Sequence, residues 1–176
     1  MTNELLVIID PQNDFINKEG LYAKRHAGIV QILSARENIN KLIALHDKNN
    51  LVIVLSNYKK DKFEKGLSIC IPGTDGHKID IDMDDSFKLI SKTDHSCFSS
   101  DVFDQYLKNK KIIKLILAGF LAEYCVKQTA VDALDKGYEV SLLKDCIGTG
   151  DDVQYQKERM ISVLLEKGAT ILDSGL

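Results

Sequence analysis

Apolar residues along the chain fall into short unbroken runs separated by longer amphipathic stretches, the pattern of an α/β protein. Residues 5–9 and 51–55 are continuous apolar runs of strand length, as expected of strands covered on both faces. Residues 112–118, 138–143 and 169–172 read the same way, and 87–90 is a weaker sixth candidate. Between them, 28–48 carries Ile29, Ile32, Leu33, Ile39, Leu42 and Ile43 at helical spacing, which predicts a helix with one buried face. Further helices are predicted over 100–108, 124–136 and 152–167. Gly119 is expected to end the fourth strand, and Gly137 to stop the helix that follows it. This alternation predicts a single domain over 1–176. Its architecture is three-layer α/β/α with a mostly parallel, Rossmann-type six-stranded sheet. The stretch 56–86 is polar, holds Pro72 and several glycines, and reads as loop. Connections of that length in a compact domain are usually functional.

In open α/β sheets, ligands bind beyond the carboxyl ends of the strands, where strand order reverses. Three reactive side chains fall there. Asp10 directly follows the first strand, Lys92 follows 87–90, and Cys125 opens the helix after 112–118. A thiolate is the nucleophilic form of cysteine, with a free pKa of about 8.5. A helix N-terminus and an ammonium are both expected to lower that value. Asp10 can take the thiol proton and return it to a leaving nitrogen. Backbone N–H groups at the start of 124–136 can bind an oxyanion. Each residue has a plainer alternative. Cys125 fits an inert core position, Asp10 a turn cap, and Lys92 a solvated loop. Phe15, Phe98 and Tyr124 flank these residues and are candidates to line a pocket, with core packing the alternative for the two phenylalanines.

Composition narrows the field. The net charge of −3 argues against a broad nucleic-acid surface. No apolar run approaches the roughly 20 residues of a membrane span. The N-terminus lacks the pattern of a signal peptide, so a cytoplasmic protein without membrane contact is expected. Cys70, Cys97, Cys125 and Cys146 show no paired ligand spacing and are expected as free thiols. His26, His46, His77 and His95 also lack ligand spacing and are expected at surface or loop positions. Lys59, Lys60 and Lys62, and the acidic run 80–85, read as solvated faces.

Three motifs carry a resemblance. Asp10-Pro11-Gln12-Asn13-Asp14-Phe15 is similar to D-x-Q-x-D-F, and Lys92-Thr93-Asp94-His95-Ser96-Cys97-Phe98 to K-x-x-x-S-A-F with Cys97 for alanine. Gly119-Phe120-Leu121-Ala122-Glu123-Tyr124-Cys125-Val126, continued through Thr129 and Asp132-Ala133, is similar to G-x-x-T-D-x-C-V-x-x-T-A-x-D-A. Together, in this order, they resemble the isochorismatase-like cysteine hydrolases, which include nicotinamidases and N-carbamoylsarcosine amidases.

The resemblance implies a catalytic triad of Asp10, Lys92 and Cys125. It also implies a cis peptide between residues 121 and 122 that turns backbone N–H groups of Leu121, Ala122 and Cys125 toward an oxyanion. Ala122 and Glu123 stand where the family pattern has threonine and aspartate. Metal-dependent nicotinamidases carry Asp-x-His after the second strand and a further histidine before a downstream cysteine. Here those positions hold Asn57-Tyr58-Lys59, and Ile69 before Cys70. A charged lysine has no lone pair for a metal, so no metal and no other cofactor is expected. Isochorismate hydrolysis cleaves a vinyl ether and needs no thiol. Retention of Cys125 therefore points to an acyl carbon and to the C–N bond of a small amide or ureido compound. A nicotinamidase with an altered ring site and a non-catalytic small-molecule scaffold are the competing readings. The resemblance further implies a homo-oligomer.

Overall fold

The computed structural model describes residues 3–175. Six parallel strands form one sheet: β1 (Glu4–Ile9), β2 (Leu51–Ser56), β3 (Lys88–Lys92), β4 (Lys114–Phe120), β5 (Glu139–Gly148) and β6 (Thr170–Leu172). Their order is β3-β2-β1-β4-β5-β6. The chain winds outward to one side from β1 and to the other from β4, so the reversal of strand order lies between β1 and β4. This is the α/β/α architecture that the alternation of apolar runs predicts.

The period-two geometry of β1 explains the two cores. Leu5, Val7 and Ile9 enter one hydrophobic cluster and Leu6 and Ile8 the other, all at 0–1% exposure. On the second face lies α2 (Val30–Leu45), which buries Ile32, Ala35, Ile39 and Ile43. On the first lie α3 (Asp101–Asn109), α4 (Lys127–Asp135) and α5 (Gln154–Glu166), through Phe103, Leu107, Ala130, Ala133, Met160 and Leu164. Local chemistry fixes the ends. The Asp151 carboxylate accepts from Val30 N and Gln31 N (2.8 and 2.9 Å), capping α2 from outside the helix. The Ser100 hydroxyl caps α3 through Phe103 N.

The structure departs from the sequence reading at element ends. Lys92 is the last residue of β3 and lies inside the strand. β5 runs on past residue 143 to Gly148, because a register shift opposite Leu117 and Gly119 of β4 lets Cys146 and Ile147 resume the buried pattern after Lys144 and Asp145. The helix expected over 124–136 opens with a wider π-helical turn, Ala122–Val126, before α4. A short α1 (Asn13–Ile16) follows β1 and was not anticipated. The cis peptide is Phe120–Leu121, one bond earlier than the resemblance implied.

Gly119 does not end β4. It sits within the strand at φ 118°, opposite Ile9, where an added Cβ would lie 2.1 Å from the Ile9 carbonyl oxygen. Only glycine allows both that backbone and that approach. Gly119→Ala is expected to destabilise the fold by roughly 1–3 kcal/mol. Urea denaturation would read this as a lower midpoint at unchanged slope.

Candidate active site

The carboxyl ends of β1, β2 and β3 and the turn after β4 converge at the strand-order reversal. Asp10 leaves β1 in a left-handed backbone (φ 52°), a conformation aspartate tolerates better than most residues. Its N–H still bonds Val54 O on β2 at 2.8 Å. The Asp10 carboxylate meets two neighbouring strands. Oδ1 accepts from Ser56 Oγ at 2.8 Å, and Oδ2 is ion-paired with Lys92 Nζ at 2.9 Å. Both charged side chains are 0% exposed.

Lys92 has three N–H groups and more neighbours than that. Nζ donates to Ser56 Oγ (2.8 Å), Asp94 O (2.9 Å) and Tyr58 Oη (3.1 Å), and lies 3.5 Å from Cys125 Sγ. Asp10 Oδ2 has the Lys92 ammonium as its partner, and the Cys125 thiol hydrogen-bonds the Asp10 carboxylate. Cys125 sits in the π-helical turn, 2% exposed, with Tyr58 Oη 3.4 Å from its sulfur.

The electrostatics correct one expectation. Burial, and after it the Asp10 carboxylate, push the Cys125 thiol well above its ordinary value, while Lys92 pulls it down. The downward pull of Lys92 and the helix start does not win, because the site already buries one anion against one cation and a second anion is disfavoured. Burial also works against the Lys92 ammonium, but Asp10 and its other neighbours outweigh it and raise Lys92 well above the ordinary lysine range. At neutral pH the cluster is a thiol beside an ion pair.

Cys125 lies at the base of a cavity of about 370 Å³. Asp10 and Lys92 are not among its lining residues and sit behind the sulfur. Phe15, Leu121 and Tyr124 line it, as does Ile69. One wall is aromatic: Phe63 stacks on His95 (4.4 Å, 11°), Tyr58 meets the Phe63 edge (4.8 Å), and Tyr124 leans on His95 (5.5 Å). At the rim, Arg25 pairs with Glu64 at 3.0 Å. His26 lies over Tyr22 (4.1 Å) and bonds Asp152 at 2.9 Å.

One expectation fails here. Phe98 is not in the cavity; it packs on Phe103 (5.2 Å) and Tyr138 (5.9 Å) in the core on the α3 side. His26 and His95 lie in loops, as expected, and both line the cavity. Ala122 is fully buried in the core beneath the turn. Sequence reasoning missed Ser56 and Tyr58, which join the Asp10, Lys92 and Cys125 cluster. Their signal was position alone: both fall at the carboxyl end of β2, beside the strand that delivers Asp10.

The remaining motif residues are scaffolding. Gln12 brackets the end of β2 by donating to Ser56 O and His77 O and accepting from Ser56 N. The Asp14 carboxylate accepts from Cys70 N at 2.7 Å, in the middle of 56–86. Glu123 accepts from Tyr22 Oη (2.8 Å) and Thr149 Oγ1 (2.6 Å), which pins the turn that carries Cys125.

The sequence profile described as the Isochorismatase domain matches residues 4–174, nearly the whole chain. The chain belongs to the isochorismatase family. A probable inactive nicotinamidase of Arabidopsis thaliana is 28% identical over 161 residues, 81% of this chain and 79% of that protein. A secreted isochorismatase effector of Verticillium dahliae is 24% identical over 171 residues, 96% of this chain and 85% of that protein. Among solved structures, the pyrazinamidase of Pyrococcus horikoshii in complex with zinc superposes with a TM-score of 0.82 at 22% identity, covering 97% of this chain and 99% of that one. Nicotinamidase PncA of Bacillus subtilis superposes at 0.81 and 22% identity, covering 98% of this chain and all of that one.

A zinc ion does not fit the residues of this isochorismatase-family chain at the expected positions. The Asn57 amide oxygen is bonded to His77 Nε2, Lys59 is exposed, and Ile69 offers no donor. Among the described residues, no group of three or more His, Cys, Asp or Glu side chains is placed to hold a metal.

Burial pushes the core thiol of Cys97 up to about 12 from an ordinary 9.0. On a rising pH the unfolded chain therefore loses this proton first, while the folded chain keeps it. The contribution to stability is complete below about pH 9 and drains away between about pH 9 and 12. Thermal melts across that range should show wild type losing its advantage over Cys97→Ala as the pH climbs.

Proposed function

We propose that this isochorismatase-family protein is a metal-independent cysteine hydrolase that cleaves the C–N bond of a small amide or ureido compound. One observation carries the reading. The cavity-lining sulfur of Cys125 is backed by a buried carboxylate oxygen of Asp10, which is ion-paired with Lys92 at 2.9 Å and within hydrogen-bond reach of the Cys125 thiol. Such an oxygen is ready to accept a proton.

In this reaction Asp10 takes the thiol proton as Sγ attacks the carbonyl carbon. The transfer is internal, so the cluster keeps one negative and one positive charge throughout. That removes the obstacle that burial sets against ionising the thiol to solvent. Lys92 remains an ammonium, holding Asp10 in place and facing the new thiolate. Backbone N–H groups of Leu121 and Cys125, both cavity-lining residues, receive the carbonyl oxygen as it becomes an oxyanion. Asp10 then gives its proton to the leaving nitrogen. It next takes a proton from the water that attacks the thioester, and returns it to the Cys125 sulfur as the C–S bond breaks and the acid leaves.

The stacked Phe63 and His95 wall also suits a planar acyl group, which favours keeping nicotinamide among the candidate substrates. The similarity to a probable inactive nicotinamidase of Arabidopsis favours a non-catalytic scaffold as the second reading. Ammonia release from a panel of small amides, ureido acids and nicotinamide separates the three, with and without chelator. Cys125→Ala is expected to abolish turnover, and Cys97→Ala to retain most of it. Turnover that survives loss of Cys125, or stops on chelation, would overturn the proposal.

A further inference from the structure

Tyr58 stands where the metal-dependent relatives have only the spacer between two ligands, and its phenol is 3% exposed, wedged between Lys92 and Cys125. Hydrogen-bond direction decides what it does. Lys92 carries N–H donors and no lone pair, so at 3.1 Å the Tyr58 oxygen must be the acceptor. Its own O–H then has two possible acceptors, Cys125 Sγ at 3.4 Å and Asp94 O at 3.5 Å. For an oxygen acceptor 3.5 Å is long, and Asp94 O already takes a Lys92 proton at 2.9 Å. For the larger sulfur atom, 3.4 Å is ordinary contact.

We propose that Tyr58 is a further catalytic group, whose O–H donates to Cys125 Sγ and holds the sulfur's developing negative charge. No proton leaves Tyr58. The thiol proton goes to Asp10, and the phenol hydrogen bond shortens as the sulfur charges. A thiol is a weak acceptor and a thiolate a strong one, so the contact is worth most after the proton has moved. Lys92 polarises the phenol from behind and makes it a better donor. Burial, followed by the neighbouring Cys125 and Asp10, keeps the Tyr58 phenol above its ordinary value, so it stays a donor across the working range. The Phe63 ring packs on Tyr58 edge-on and fixes its orientation.

The inference rests on Cys125 being the nucleophile, but its test needs no substrate, so failure to find an amide and failure of Tyr58 are separate results. The ionisable groups around the pair are Asp10, Lys92, Asp94, His95 and Cys70. All of them stay in place in the test. Wild type and Tyr58→Phe are alkylated with iodoacetamide from pH 6 to 11, and modification at Cys125 is followed by peptide mass spectrometry. Loss of one hydrogen bond to a charged sulfur is expected to slow Cys125 alkylation about tenfold or more throughout that range. Superimposable profiles would overturn the proposal. If Tyr58→Phe does not fold, wild-type protein carrying 3-fluorotyrosine serves instead. Its more acidic phenol should speed Cys125 alkylation, and an unchanged rate would overturn the proposal equally.

Discussion

The site depends on a carboxylate and an ammonium, Asp10 and Lys92, held 2.9 Å apart with neither side chain exposed to solvent. Removing both charges from water is costly, and such a pair persists only where further hydrogen bonds complete it. Ser56 Oγ bonds both partners, and Tyr58 Oη and Asp94 O take the remaining ammonium protons. These groups come from the ends of three adjacent strands and the turn beyond the third. The parallel register of β1, β2 and β3 is therefore what allows the pair to exist. Its zero net charge in turn governs the sulfur, which can ionise easily only by passing its proton to the pair.

Most of the fold was legible in the sequence because strands covered on both faces must be apolar throughout, as in β1 and β2. What was not legible has physical causes. The end of β5 was hidden by Lys144 and Asp145, which are half-buried at a register shift and look like a strand terminus in a one-dimensional reading. Phe98 follows a motif residue closely, yet it belongs to the core, because the short turn at Cys97–Ser99 faces α3 and α4.

For the site, chain position was enough to nominate Asp10, Lys92 and Cys125, and the structure brings those three side chains together. Ser56 and Tyr58 left no motif of their own. Serine and tyrosine at a strand end are common, and only the convergence of neighbouring strands gives them partners. The charge state of Cys125 was also beyond sequence reasoning, because it depends on burial that a list of neighbours does not reveal. A helix start and a lysine both argue for a low thiol value, while the enclosing core and Asp10 argue for a high one.

The segment 56–86 is tied down at separate points. Gln12 grips Ser56 and His77, and Asp14 holds Cys70 N and fits closely against Gly76. Between these anchors, residues 59–66 are exposed, and from them Phe63 and Glu64 reach the cavity. In the proposed reaction, recognition falls on a tether whose fixings belong to the first motif, while the proton path lies on the sheet. Side chains along that tether can be exchanged to reshape the cavity without disturbing the charges behind the sulfur, so the proposed catalytic frame is separable from the walls that would select its substrate.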